Sequence, residues 1–338
     1  MTSPLFQRLA LFSTGLTLIV IVLGAWVRLT DAGLGCPDWP GCYGMVTWPS
    51  TPETIERADQ VRLDRAVDSG AAFREMLHRY VAGFLGLVVL AIAAIAWRNR
   101  RQPGQPVRLP MVLLALIIFQ SALGAWTVTM LLKPAIVMAH LMGGMTTFIL
   151  LLWLTLRVYD PGAQPSMHAR RHRGPIIFGT VLVALQVALG GWVSTNYAAL
   201  SCGSDFPTCL GQWWPEMNFR EGFVLWREVG VDYEGGLLDQ SARVAIHLAH
   251  RIGAVVIVAY FAWLIWRLVR EPVLRTPGVV LGIVLAAQVA LGVLNVVLGL
   301  PLSVAVAHNG VAAILLGVLF YLIHRTTSAA RTDGPGTA

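Results

Sequence analysis

Charge is what this sequence has least of. Charged residues make up 13% of its 338 positions and hydrophobic ones 56%, against roughly 25% charged in an average soluble protein. That balance excludes an ordinary soluble domain. No soluble domain or low-complexity linker is evident either, beyond the polar segment 158–174 and a short tail expected to be disordered. A Cys-x-x-Cys pair is absent: the four cysteines stand as Cys36 with Cys42 and Cys202 with Cys209. The first apolar run lacks a small-residue cleavage site and is too long for a secretory leader, so it is expected to remain as a span. What the chain does have is glycine, 33 residues of it, as suits helices packed closely in lipid.

Apolar runs long enough to cross a bilayer, about 20 residues each, recur along the whole chain. Eight are expected: 9–27, 76–97, 110–130, 135–157, 175–195, 244–266, 278–298 and 302–323. Runs this continuous satisfy their backbone in lipid as helices, so the fold class is an all-α membrane protein of eight transmembrane helices. The N-terminus, the segments near 98–108, 157–174 and 267–275, and the tail hold 14 arginines against three acids, Asp160, Glu271 and Asp333. The loops 28–74, 131–134 and 196–243 hold nine basic residues and 14 acidic ones. By the positive-inside rule both termini are expected in the cytoplasm. The net charge of +7 then reflects topology and anionic lipid, not nucleic-acid binding.

The two halves of the chain resemble each other. "GAWVRLTDAGLGCPDWPGCYG" (24–44) answers to "GGWVSTNYAALSCGSDFPTCLG" (190–211), and "QSALGAW" (120–126) to "QVALGVL" (288–294), with "QVALGGW" (186–192) a third copy. Cysteines and histidines recur at offsets of 166 to 172 residues. Each half holds four spans of the same in/out sense, so a parallel repeat is expected, related by an axis along the membrane normal. The architecture predicted is two repeat-related four-helix bundles, residues 1–160 and 161–338.

Of eight histidines, four stand where histidine is costly. His78 and His250 open spans two and six; His140 and His308 lie about two turns into spans four and eight. These spans all run from outside to inside, so the four share one depth. Two imidazoles facing across a bundle core can supply both axial ligands of a heme iron, and Gly83, Gly143, Gly144, Gly253 and Gly310 would leave room for a flat macrocycle. Zinc is a weaker alternative because two histidines leave its coordination incomplete; a quinone site needs no paired histidines. His168, His172 and His324 lie in basic segments and are expected to be solvated. One difference separates the halves. Glu75 stands three residues before His78 on the same helical face, and its repeat equivalent is His247. A carboxylate beside one iron alone can relay protons or stabilise a cation; the plainer alternative is a helix-start carboxylate. Arg79 and Arg251, next to the histidines, are candidate partners of heme propionates, or else interfacial arginines reaching water.

"RLTDAGLGCPDWPGC", "EMLHR", "MAHLMGG", "HLAHR" and "VAHNG" together, in order across eight spans, resemble bacterial heme A synthase from about residue 10 to 325. The resemblance implies an enzyme that oxidises a ring methyl group of heme O to a formyl group, by successive hydroxylations and loss of water. Carried over, His78 and His140 would ligate the substrate heme O, with Glu75 the essential carboxylate. His250 and His308 would ligate the iron of a resident heme b that passes electrons. The resemblance also implies a bacterial cell membrane, heme O synthase upstream, an aa3-type oxidase downstream, and a membrane quinone or other electron carrier as partner. A homo-oligomer is a further expectation.

The cysteines first suggest a metal clip, a redox pair or a staple. In the family the first-loop pair forms a disulfide beside the substrate site, although some members lack loop cysteines altogether. The twin pairs and the lack of nearby third and fourth ligands favour disulfides Cys36–Cys42 and Cys202–Cys209, shaping a lid over each heme pocket; a redox role for the first pair stays open. Two rival classes are weaker. A di-heme b-type electron-transfer cytochrome of the b561 kind predicts neither a carboxylate beside one heme nor disulfide-bearing loops. A disulfide-forming thiol oxidase wants Cys-x-x-Cys reactivity and leaves the histidines unexplained.

Overall fold

The computed structural model describes residues 2–61, 65–160 and 167–327. Among them regular structure is helical: α1 (Pro4–Leu29), α2 (Pro52–Val61), α3 (Ser69–Arg98), α4 (Arg108–Thr129), α5 (Pro134–Tyr159), α6 (Met167–Arg170), α7 (Arg173–Thr195), α8 (Phe219–Gly222), α9 (Gln240–Leu268), α10 (Arg275–Val297) and α11 (Leu302–Thr326). Eight of these, all but α2, α6 and α8, are long and apolar enough to cross a membrane. The protein is a multi-pass helical membrane protein.

The main departure from the expected spans is at α1, α3 and α9, which begin four to seven residues before their apolar cores. Hydropathy marks only the part of a helix in lipid, whereas capping fixes where the helix starts. Asp68 and Asp239 accept from the backbone N–H groups of Ala71 and Ala242, satisfying donors that the first turn leaves free. His78 and His250 therefore lie inside their helices rather than at the openings.

α1, α3, α4 and α5 pack successively around one ring, and α7, α9, α10 and α11 around another. α11 against α1 and α5, and α5 against α7, join the two. Side-chain packing is concentrated at one end. In the first ring Phe6, Ile92, Leu113, Leu151 and Leu154 are fully buried together. In the second, Phe261, Leu264, Leu268, Leu281, Leu319 and Leu322 are. Both clusters sit toward the arginine-rich ends of the helices, where burial of apolar side chains holds the helices at fixed spacing. The four histidines lie in the opposite halves, beneath two long loops, 30–68 and 196–239.

Those loops interlock. Arg65 pairs with Asp232 at 3.3 Å and with Glu234. Arg28, at the end of α1, donates to the Ser194 carbonyl at 2.6 Å and to the Tyr197 hydroxyl at 3.0 Å. The backbone N–H of Tyr233 donates to the Leu131 carbonyl at 3.1 Å, tying the second loop to the short α4–α5 turn.

Candidate functional site

Each of the four histidines faces a glycine on the preceding span. A Cβ built on Gly24, Gly190 or Gly292 would lie 3.1 Å from the imidazole Cε1 of His78, His250 or His308, and one on Gly124 would lie 3.5 Å from that of His140. The glycines head four copies of one short pattern, Gly24-Ala25-Trp26, Gly124-Ala125-Trp126, Gly190-Gly191-Trp192 and Gly292-Val293-Leu294. Absence of a side chain there lets the ring lie flat against its neighbour helix. The glycines that follow the histidines do other work: Gly143 and Gly253 make way for the side chains of Gln120 and Gln186, Gly310 faces Val22, and Gly83 and Gly144 meet nothing within 4 Å.

Glutamine is the residue type that sequence reasoning missed. Gln186 Nε2 lies 3.1 Å from His250 Nδ1 and donates to the His250 carbonyl at 2.8 Å. Gln288 Nε2 lies 3.3 Å from His308 Nε2, and Gln120 packs at Gly143 beside His140. The signal was present: glutamine stands four residues before the glycine in three copies of the pattern, while α1 has Val20 there. Partners of this kind orient a ligating imidazole.

The histidines fall into two pairs by helix packing: His78 and His140 stand on α3 and α5 of one ring, His250 and His308 on α9 and α11 of the other. All four are only half-buried although they lie within spans. The Nδ1 atoms of His78, His140 and His308 are buried with no hydrogen-bond partner among the described residues. No group of three His, Cys, Asp or Glu residues able to hold a metal ion occurs among them. Paired imidazoles without a third ligand suit an iron whose other coordination positions are filled by a macrocycle. The residues present therefore fit heme.

The loops over the two pairs are built alike. Disulfides Cys36–Cys42 and Cys202–Cys209 close them, and Cys42 bridges to Met45 as Cys209 does to Gln212. Asp38 accepts from the N–H groups of Tyr43 and Gly44, and Asp205 from that of Gly211. Gly44 and Gly211 hold φ of 73° and 75°, a backbone that glycine adopts without strain. Arg79 donates to the carbonyls of Asp38 (2.9 Å) and Gly41 (2.5 Å); Arg251 donates to those of Asp205 (2.8 Å) and Thr208 (2.9 Å). Each arginine thus straps a disulfide loop to its histidine-bearing helix.

The two halves part at Glu75. This residue is 5% exposed; one oxygen accepts from the Cys36 N–H at 2.8 Å and the other from Arg79 at 2.5 Å. The carboxylate therefore joins helix, strap and disulfide loop in one contact set, one turn from His78. In the other half His247 is equally buried and its Nδ1 meets the Ala198 carbonyl at 2.9 Å. One half carries a buried acid and the other a histidine linked to its loop.

Two other histidines differ from expectation. His172 and His324 are buried, not solvated, at 1% and 8% exposure. His172 stands at the N-cap position of α7 without a side-chain capping bond and accepts from Arg171; His324 lies 3.7 Å from Asp160 and edge-on to Trp153. Tertiary packing of the cytoplasm-expected ends covers them. The side chain of His168 lies outside the described residues.

Sequence comparison places these features in a family. The profile of the cytochrome oxidase assembly proteins of the COX15-CtaA group matches residues 7–320. The chain is 42% identical over 320 residues to the heme A synthase of Shewanella oneidensis, covering 93% of this chain and 96% of that protein. It is 29% identical to the heme A synthase of Sphingopyxis alaskensis over 92% of this chain and 88% of that one. For the heme A synthase of Halalkalibacterium halodurans the identity is 28%, over 90% and 91%. With the match spanning nearly every helix and both disulfide loops, the chain belongs to the COX15-CtaA family of cytochrome oxidase assembly proteins.

Proposed function

We propose that this chain oxidises the ring methyl group of heme O to the formyl group of heme A, by successive hydroxylations followed by loss of water. The observation that carries the reading is a buried carboxylate, Glu75, beside one of two otherwise matching histidine pairs. The names of the relatives support the substrate and product.

His78 and His140 hold the iron of the substrate heme O in the N-terminal repeat, residues 1–160. His250 and His308 hold a resident heme b in the C-terminal repeat, residues 161–338. A bound heme b supplies one-electron transfer between the substrate site and a membrane quinone or other carrier. The remaining chemistry falls to the chain. Glu75 is placed to hold a proton at Oε1 or Oε2, between the Arg79 guanidinium and the Cys36 N–H, and to balance positive charge developing on the substrate. Arg79 keeps that carboxylate in one orientation and holds the disulfide loop as a lid that keeps water away. The arginine-rich ends and both termini face the cytoplasm of a bacterium and the disulfide loops face the oxidising side. Heme O synthase supplies the substrate, and an aa3-type oxidase takes the product.

Co-expression with a heme O synthase, followed by pigment extraction and chromatography, tests this. The parent should accumulate heme A, and Glu75→Ala should keep bound heme but yield none. If the parent gives neither heme A nor a hydroxylated intermediate, the chain is a di-heme electron-transfer cytochrome instead.

A further inference from the structure

Lys133 is the one lysine of the sequence, and the fold buries it. The residue is 1% exposed, yet its Nζ has no hydrogen-bond partner among the described residues. An ammonium group withdrawn from water without an acceptor is unfavourable. Its contact is the face of Trp226, whose ring centroid lies 3.5 Å from Nζ. Trp226 comes from the second long loop and is itself 63% exposed, so the indole roofs the ammonium on the loop side. A cation–π contact at an exposed ring does not replace the hydrogen bonds that an ammonium makes in water.

Position gives this cation a role. Lys133 is the N-cap of α5, where the helix adds partial positive charge of its own. His140 stands seven residues further along, about two turns deeper and nearly on the same face. The corresponding cap of α11, before His308, is Pro301. The cation therefore belongs only to the half that carries Glu75. Of the other cations near that histidine pair, Arg79 already donates to Glu75 and to the loop carbonyls of Asp38 and Gly41, Arg28 to the Ser194 carbonyl and the Tyr197 hydroxyl, and Arg74 lies 4.0 Å from Asp68.

We propose that Lys133 Nζ binds a propionate carboxylate of the porphyrin substrate when His140 ligates its iron, with Trp226 closing over the ion pair. The inference rests on the assignment of His78 and His140 to the substrate. It makes Lys133 a selector for the free acid at the N-terminal site, with no counterpart at the other.

The test is a Soret titration of purified protein, its resident heme in place, with heme O and with heme O dimethyl ester. Lys133→Met should weaken heme O binding by roughly tenfold, the scale of one charge-assisted hydrogen bond, and Lys133→Arg should recover most of it. Affinity for the dimethyl ester should be the same in parent and Lys133→Met. The thermal midpoint of substrate-free Lys133→Met should be no lower than the parent's, since a buried unpaired charge has been removed; Lys133→Gln serves if the methionine variant does not fold. Equal loss of acid and ester binding, or no loss of either, overturns the proposal and leaves Lys133 a structural cation beneath Trp226. His78→Ala separates the two levels: if it titrates like the parent, the added heme is not at the His78–His140 site, and the site assignment fails together with this inference.

Discussion

At the scale of single residues, burial decides which ionisable groups matter. His172 shows this away from the histidine quartet. It lies at the N-cap of α7 beyond the spanning segment, and burial, then the nearby Arg267 and Arg171, hold its pKa below the ordinary 6.5 against a weaker opposing effect of Glu271. The folded protein therefore takes up this proton less readily than the unfolded chain, so the stability contribution is complete above the unfolded pKa and declines as pH falls below it. Thermal midpoints in detergent should drop between about pH 7.5 and pH 5, and His172→Gln should flatten that part of the slope. An unchanged slope in the variant would show that other groups set it. The sequence could not reveal this: an arginine-rich segment reads as solvated, and the ring is covered only once α7 packs on α9 and α6 on α11.

At the scale of elements, rare residue types inside long apolar runs were legible and their partners were not. Eight spans, two pairs of histidines and the lone Glu75 stand out along one dimension because hydropathy and costly polar groups are one-dimensional signals. The glycine that each histidine faces lies on the preceding span, 16 to 60 residues away, and so became visible only when the helices were side by side. The same holds for the arginine straps, whose acceptors are backbone carbonyls that no sequence pattern marks. The glycine contacts have a direct consequence. A side chain at Gly190 or Gly292 would press on the ring of His250 or His308 at 3.1 Å, tighter than packed interiors accept without rearrangement. Gly190→Val and Gly292→Val should each lose most of the low-spin heme absorbance of the purified protein, whereas Gly144→Val, with open space at its Cβ, should keep it. Retention of the full spectrum in the first two would mean that the rings swing away from these glycines when ligating.

At the scale of the molecule, the helices are held together at one end by apolar side chains and meet at the other through glycines that lie against imidazoles. The two packed clusters belong largely to different rings of four helices, and the two disulfide loops are each strapped to their own ring by Arg79 or Arg251. Such a design lets one histidine pair be removed without dismantling the other, because the fold does not depend on the ligands for its core. His250→Ala or His308→Ala should therefore abolish the low-spin bis-histidine heme b spectrum of the purified protein. His78→Ala or His140→Ala should leave that spectrum in place and stop heme A from appearing on co-expression with a heme O synthase. The informative result is the contrast between the two sets, measured on variants that insert and purify alike. Were His78→Ala to erase the resident spectrum as fully as His250→Ala does, the two pairs would serve a single shared group, and the division of labour between the halves would have to be abandoned.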